Sequence, residues 1–135
     1  MIEVRSIVTE KCGVHDITGE VKQIVAQSGV RDGLVTVQVA LADAGILTLS
    51  CSDLKIKEDL LADIRRLIPS RITFRKEVSP EGTAANLKNA LFGSAALSIL
   101  KDGQLVSEEG GQAFCLCEYD GPQERQYYVS VMADR

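Results

Sequence analysis

Residues 2–10, IEVRSIVTE, alternate apolar and polar side chains, the pattern of a half-buried strand. The period then changes. In DITGEVKQIVAQSG (residues 16–29), Val21, Ile24 and Val25 recur at helical spacing, Thr18 stands where a cap is expected, and Gly29 supplies a stop. Asp32-Gly33 turns the chain into LVTVQVAL, whose β-branched residues predict a strand, and AGILTLSCS follows as another after a break near Ala42-Asp43. Residues 52–69, SDLKIKEDLLADIRRLIP, carry the clearest helical period. Ile56, Leu60, Ile64 and Leu67 fall on one face, Ser52 or Asp53 caps the start, and Pro69 ends it. RITFRKEV (residues 71–78) reads as a short strand. SPEGTAANLKNALFG reads as a loop entering a short helix with Leu87 and Leu91 on one face and Gly93 closing it. AALSILKDGQLVSEE predicts two strands around Asp102-Gly103, and QAFCLCEYDGPQERQYYVSVMA a final hairpin around Asp120-Gly121. Strand runs outnumber helices and tight turns join most of them, which predicts an α+β fold with largely antiparallel sheets.

Composition narrows the picture. A chain of 135 residues fits a single domain, residues 1–135, and 45% apolar residues are enough for a core. With 4% aromatics and no Trp, that core is aliphatic. A net charge of −4 argues against a nucleic-acid or acidic-membrane binder, each of which needs a positive surface. No apolar run reaches bilayer-spanning length and the first residues do not form a signal peptide, so the expected compartment is the cytoplasm, with the cysteines reduced.

Candidate chemistry is sparse. The chain lacks the G-x-x-x-x-G-K-[ST] phosphate loop, G-x-G-x-x-G and G-x-S-x-G, and a lone histidine, His15, excludes H-E-x-x-H. His15 precedes the first helix with no visible partner for acid–base work and reads as a loop or cap residue. Cys115 and Cys117 would share one face of a strand, with Phe114, Leu116 and Glu118 on the other. Side chains two apart on a strand stand about 7 Å from each other, too far for a disulfide. Buried sulfur packing is the plain reading, against a metal or redox site that would need further ligands.

Three blocks together resemble the YjbQ family, also called the secondary thiamine-phosphate synthase family. They are ITGEVKQIVAQSGVRDGLVTVQV, EGTAANLKNALFGSA and GQAFCLCEYDGPQERQYYVSVM. They are similar to the family patterns I-T-x-x-V…S-G-[IV]-x-D-G-L-V-T-V-x-V, E-G-N-x-x-A-H-L-K-x-x-L-x-G and W-Q-x-[IV]-x-L-x-E-x-D-G-P-R-x-R-x-V-x-V, in the same order, from about Ile17 to Met132. The resemblance implies a sandwich-like arrangement of antiparallel sheets with two or three helices, and a homotrimer.

The family's presumed site rests on histidines, and this sequence departs at each of them. Where relatives read P-H-T-[TS]-A, this chain has Ala40-Leu41-Ala42-Asp43-Ala44. The following N-E-N falls on Leu49, Ser50 and Cys51, the A-H-L-K histidine on Asn86, and the W-Q pair on Gly111-Gln112; the histidine before E-G, around Lys76 to Val78, is also missing. Leucine neither ligates metals nor relays protons, and an asparagine amide ligates weakly and exchanges no proton near neutral pH. The resemblance therefore implies a degenerate active site. What remains is a polar set, Asp43, Glu81, Asn86, Lys88, Gln112 and Glu118, suited to a small polar or phosphorylated ligand without a cofactor.

Two alternatives stand beside that reading. A thiamine-phosphate synthase-like transferase would join hydroxymethylpyrimidine diphosphate to thiazole phosphate, with Lys88 on an anion and Mg²⁺ held by Asp43, Glu81 or Glu118. A thiol-based metal or redox role would use Cys51, Cys115 and Cys117.

Overall fold

The computed structural model describes residues 1–50, 54–70 and 80–135, with side chains from 58 and from 82 onward in the helices that open the second and third segments. The predicted strand at 71–78 lies outside the described residues, as do Cys51 and the side chains of Ile56 and Glu81.

In chain order the elements are β1 (Ile2–Val8), β2 (Val14–Asp16), α1 (Thr18–Ser28), β3 (Gly33–Val39), β4 (Ala44–Ser50), α2 (Leu54–Leu67), α3 (Pro80–Phe92), β5 (Ala95–Lys101), β6 (Gln104–Leu105), α4 (Val106–Glu109), β7 (Gln112–Glu118) and β8 (Glu124–Ala133). They form a five-stranded sheet in the order β1-β8-β3-β5-β6 and a three-stranded sheet in the order β2-β7-β4, and every pairing is antiparallel. The α+β class and the antiparallel sheets read from the sequence are both present.

The main core lies between the sheets. Val35, Val37 and Val39 of β3 and Tyr127, Val129 and Val131 of β8 meet Ala44 and Ile46 of β4 and Phe114 and Leu116 of β7. Helix α1 adds Val21, Ile24 and Val25 to the same cluster. A second, smaller cluster lies on the other face of the three-stranded sheet, where Cys117 and Tyr119 pack with Ile64 of α2 and Ala85 of α3. Strand β7 is thus buried on both faces, and its thiols face the helix side.

The sequence expectations need correction at several points. Asp120-Gly121 does not close a hairpin, because β7 and β8 lie in different sheets. Residues 113–117 are apolar on both faces and require cover on both, whereas β8 alternates and requires it on one. The Asp102-Gly103 hairpin does form, with both residues at positive φ (53° and 78°), as a two-residue primed turn demands. Its second strand ends at Leu105, and the predicted strand through VSEE is the short helix α4. Thr18 does not cap α1 with its side chain. Asp16 Oδ1 accepts from Thr18 N at 2.9 Å, and Thr18 Oγ1 instead accepts from Phe114 N at 2.9 Å, pinning the helix start to β7.

Two helix faces also differ from expectation. On α2 the buried stripe runs through Leu60, Ile64 and Ile68, leaving Leu67 exposed. On α3 the buried face is Thr83, Ala84, Ala85 and Lys88, and Leu87 and Leu91 point outward at 40% and 69% exposure. Small residues and a lysine face inward where leucines were expected.

Candidate functional site

Strand β7 ends at Glu118, where the chain is stitched to the segment joining β1 and β2. Thr9 N donates to Gln123 O at 2.9 Å, Cys12 N to Asp120 O at 3.0 Å, and Glu118 N to Gly13 O at 2.8 Å. These bonds bring two groups of polar side chains to opposite faces of one strand end.

On the inter-sheet face lies a buried ion cluster. Arg125 and Glu118 are both 0% exposed. Arg125 Nε donates to Glu118 Oε1 at 2.8 Å, its Nη2 donates to Glu118 Oε2, and its Nη1 donates to Asp43 Oδ1 at 2.6 Å. Thr9 Oγ1 donates to Glu118 Oε1 as well. Burial alone would lower the Arg125 pKa, but the hydrogen bonds to Glu118 and Asp43 outweigh it and hold the guanidinium charged. Bidentate pairing of this kind suits a guanidinium and a carboxylate in low dielectric. Arg125 had no place in the sequence reading. Its signal was an arginine at an inward position of an alternating strand, seven residues after an inward glutamate.

On the helix face lies a cleft of about 350 Å³ lined by Lys11, Cys12, Arg65, Ser70, Lys88, Tyr119 and Asp120. Lys88 is 7% exposed, and among the described residues no carboxylate lies within ion-pair distance of it. Burial is the strongest influence on its ammonium and pushes it below the usual lysine range; Cys12 opposes this, Arg65 adds to it, and Asp120 opposes it. The Tyr119 hydroxyl is buried beside the Cys117 thiol, and burial first, then charge and hydrogen bonding with Cys117, keep it protonated. Cys12 Sγ lies 3.7 Å from Tyr119 O.

The sequence-predicted polar set is divided by this geometry. Asp43 and Glu118 meet through Arg125, and Lys88 lies in the cleft behind the strand. Gln112 is exposed at the far end of β7, paired with Ser50 and roughly 20 Å from Glu118 at strand rise. Asn86 is half-buried on α3, two residues from Lys88 and therefore turned away from it. Leu41, which the resemblance placed at a histidine position, lines a separate cavity of about 350 Å³ with Ala40, Glu124, Gln126 and Tyr128. His15 Nε2 accepts from Glu10 N at 3.3 Å, a loop contact. Cys115 and Cys117 are buried, and burial pushes the Cys117 thiol up to about 12, the behaviour of packing sulfur. Among the described residues no three His, Cys, Asp or Glu side chains are placed to hold a metal ion, and no helix is long and apolar enough to cross a membrane.

The molecule is thus an α+β sandwich with a hydrogen-bonded ion cluster on one side of its buried strand and a cationic cleft on the other. The comparisons place it. The family model described as UPF0047 protein YjbQ-like matches residues 2–134, and the chain belongs to that family. It is 31% identical over 121 residues to a UPF0047 protein of Methanocaldococcus jannaschii, covering 89% of this chain and 85% of that one. It is 27% identical to the UPF0047 protein YugU of Bacillus subtilis, covering 92% of each. A crystal structure of a family protein from Clostridium acetobutylicum superposes with a TM-score of 0.87 at 28% identity, covering 96% of this chain and 99% of that one. A YbjQ-like protein of unknown function from Sulfolobus solfataricus superposes at 0.91 with 25% identity, covering 99% and 97%.

Proposed function

We propose that the chain is a homotrimeric binding protein, without family-type histidine catalysis, that holds a small polar or phosphorylated ligand. The observation that carries this reading is the division of charge around β7. The Asp43 and Glu118 carboxylates are committed to Arg125, while Lys88 is buried beside a cavity and has no such partner among the described residues. A committed carboxylate is a poor general base and a poor metal ligand. For the transferase reading, Mg²⁺ would be held by Asp43, Glu81 or Glu118, and two of those three do not fit the role here because their oxygens already accept from a guanidinium. A buried cation without an ion-pair partner among the described residues, by contrast, suits an incoming anion.

The trimer reading draws on the outer face of the five-stranded sheet. Register aligns three rows there: Met132–Leu34–Ile99, Ile2–Ser130–Thr36–Leu97 and Val4–Tyr128–Gln38–Ala95. Ile2, Val4, Leu97, Ile99, Tyr128 and Met132 are exposed on it. A contiguous apolar sheet face of this extent is a surface that subunits cover.

Two measurements test the proposal. Light scattering should give about 44 kDa, three chains of 14.6 kDa, and the pair Leu97→Lys with Ile99→Lys should lower it to the single-chain mass. A native monomer overturns the assembly. Purified protein with Mg²⁺, hydroxymethylpyrimidine diphosphate and thiazole phosphate should show no turnover. Robust turnover that depends on Lys88 and Asp43 overturns the non-catalytic reading.

A further inference from the structure

Strand β1 forms one edge of the five-stranded sheet, and among the described residues it is paired on one side only. The other edges are short or covered. β6 has two residues and β2 three, Ser107 N of α4 donates to Ser98 Oγ of β5 at 3.0 Å, and Asn89 Nδ2 of α3 donates to Ala44 O of β4. β1 is seven residues long, pairs with β8 without a bulge, and contains neither Pro nor Lys, the residues that commonly blunt an edge. The ends of its ladder fix which backbone groups are turned outward. Met1 and Val131 exchange both backbone bonds, at 3.0 and 2.8 Å, and Thr9 N donates to Gln123 O at 2.9 Å. Bonded pairs alternate along an antiparallel ladder. The odd residues of β1 therefore bond to β8, and Ile2, Val4, Ser6 and Val8 turn their N–H and C=O groups away from it.

We propose that this edge pairs with the β1 edge of a second copy of the chain, antiparallel, with Val4 opposite the partner's Val4. Outward-bonding residues pair only with outward-bonding residues, so the allowed registers differ by slides of two residues. With Val4 opposite Val4, Glu3 lies opposite the partner's Arg5 and Arg5 opposite the partner's Glu3. Sliding the partner by two residues either way sets Glu3 against Glu3 or Arg5 against Arg5, and a slide of four leaves both charges unmatched. Inward-facing charges ordinarily deter strand addition. Here they are a complementary pair, 3.2 Å apart within one strand, and only this register matches them across the junction. On the outer face Ile2 and Val4 are 70% and 43% exposed, and the pairing carries that apolar surface into the second copy. The two-fold axis stands perpendicular to the sheet and keeps both outer faces on one side, so the edge contact leaves the face free for the trimer proposed above. Ile2 to Ser6 on each side is well short of the roughly 20–30 residues a stable interface uses. The contact is therefore weak, strengthens with concentration, and joins assemblies that the sheet face has already built. It depends on no ligand.

The test uses the full chain. In sedimentation velocity the mass should stay near about 44 kDa at about 10 μM chain and rise toward about 88 kDa, six chains of 14.6 kDa, near about 1 mM. Amide exchange of the native protein, read by NMR, locates the contact. The Val4 and Ser6 N–H groups should exchange fast at the low concentration and at least about 3-fold slower at the high one, while Arg5 N–H, turned toward β8, stays protected at both. Glu3→Arg alone and Arg5→Glu alone should each abolish the rise in mass, because like charges then meet. An equimolar mixture of the two variants should restore it, since each strand then meets its opposite. An intrachain role for the Glu3–Arg5 pair cannot produce that rescue. A mass and a Val4 exchange rate that do not change with concentration overturn the proposal and leave the trimer untouched. So does a mixture that fails to rescue. Slow exchange of Val4 and Ser6 already at the low concentration also overturns it, since another segment then covers the edge. A rise from a single chain to about 29 kDa, two chains of 14.6 kDa, removes the trimer and keeps the edge pairing.

Discussion

Replacing Arg125 with Met tests whether the buried ion cluster is a fixed part of the framework. The substitution preserves most of the side-chain volume and removes the charge. It deletes both bonds to Glu118 and the one to Asp43. Glu118, at 0% exposure, would keep only the Thr9 hydroxyl and a long contact of 3.4 Å from Asp120 N. Removing one partner of a buried pair costs about 3–5 kcal/mol because the other charge remains uncompensated. The Asp43 side chain is 29% exposed, so water screens its share to ~1 kcal/mol or less. The expected loss is therefore about 4 kcal/mol, a large part of the roughly 5–15 kcal/mol that stabilises a domain. For a chain of this size it corresponds to a fall in Tm of about 10–20 °C.

Far-UV circular dichroism during thermal and urea unfolding, at one fixed chain concentration, measures the loss. A second variant separates charge from packing. Arg125→Met combined with Glu118→Leu removes both charges, and it should recover at least about 2 kcal/mol of the single variant's loss. A single-variant cost below about 1 kcal/mol, or a double variant as damaged as the sum of its parts, would refute the reasoning.

Three further outcomes follow from other sites. Gly33 of β3 faces Ala133 of β8, and a Cβ built there falls 1.9 Å from Met132 O, so Gly33→Ala should cost about 3 kcal/mol in urea unfolding; an unchanged midpoint would contradict the strand register. Burial pushes Cys117 up to about 12 from 9.0 and Tyr127 up to about 12 from 10.0. The unfolded chain therefore loses these protons first, and stability should fall as pH rises toward 12, from about 9 for Cys117 and from about 10 for Tyr127, at ~1.4 kcal/mol per pH unit for each group, with Cys117→Ala flattening the slope; a flat profile over that window would rule this out. Phe114 is 1% exposed in the main core, and Phe114→Ala should cost about 3–5 kcal/mol by chemical denaturation; a loss under about 1 kcal/mol would place Phe114 outside the load of the core.

The strands and helices were legible wherever one face alone had to be covered. β1, β3 and β8 alternate because each belongs to a sheet with one inner face, and α1 shows its stripe because it has one side to bury. Legibility failed where burial was two-sided or where an apolar face points outward. β7 is covered on both faces, so nothing in its pattern told which sheet it joined, and the turn after it resembled a hairpin. On α3 the leucines form the louder periodic signal, yet they face outward, and the quieter alanines and a lysine face the protein. Periodicity reports that a face is apolar and leaves open what covers it.

The same limit explains the candidate site. The family resemblance implied replaced imidazoles and gathered Asp43, Glu81, Asn86, Lys88, Gln112 and Glu118 into one set. Strand geometry separates them. Glu118 and Tyr119 are consecutive, so their side chains leave β7 on opposite faces, one toward Arg125 and the other toward Lys88. The boundary between a saturated cluster and an unsaturated cleft is therefore a single peptide step. That arrangement keeps the Arg125–Glu118 pair and the Lys88 ammonium on opposite sides of one strand end, so each can be altered without direct contact with the other.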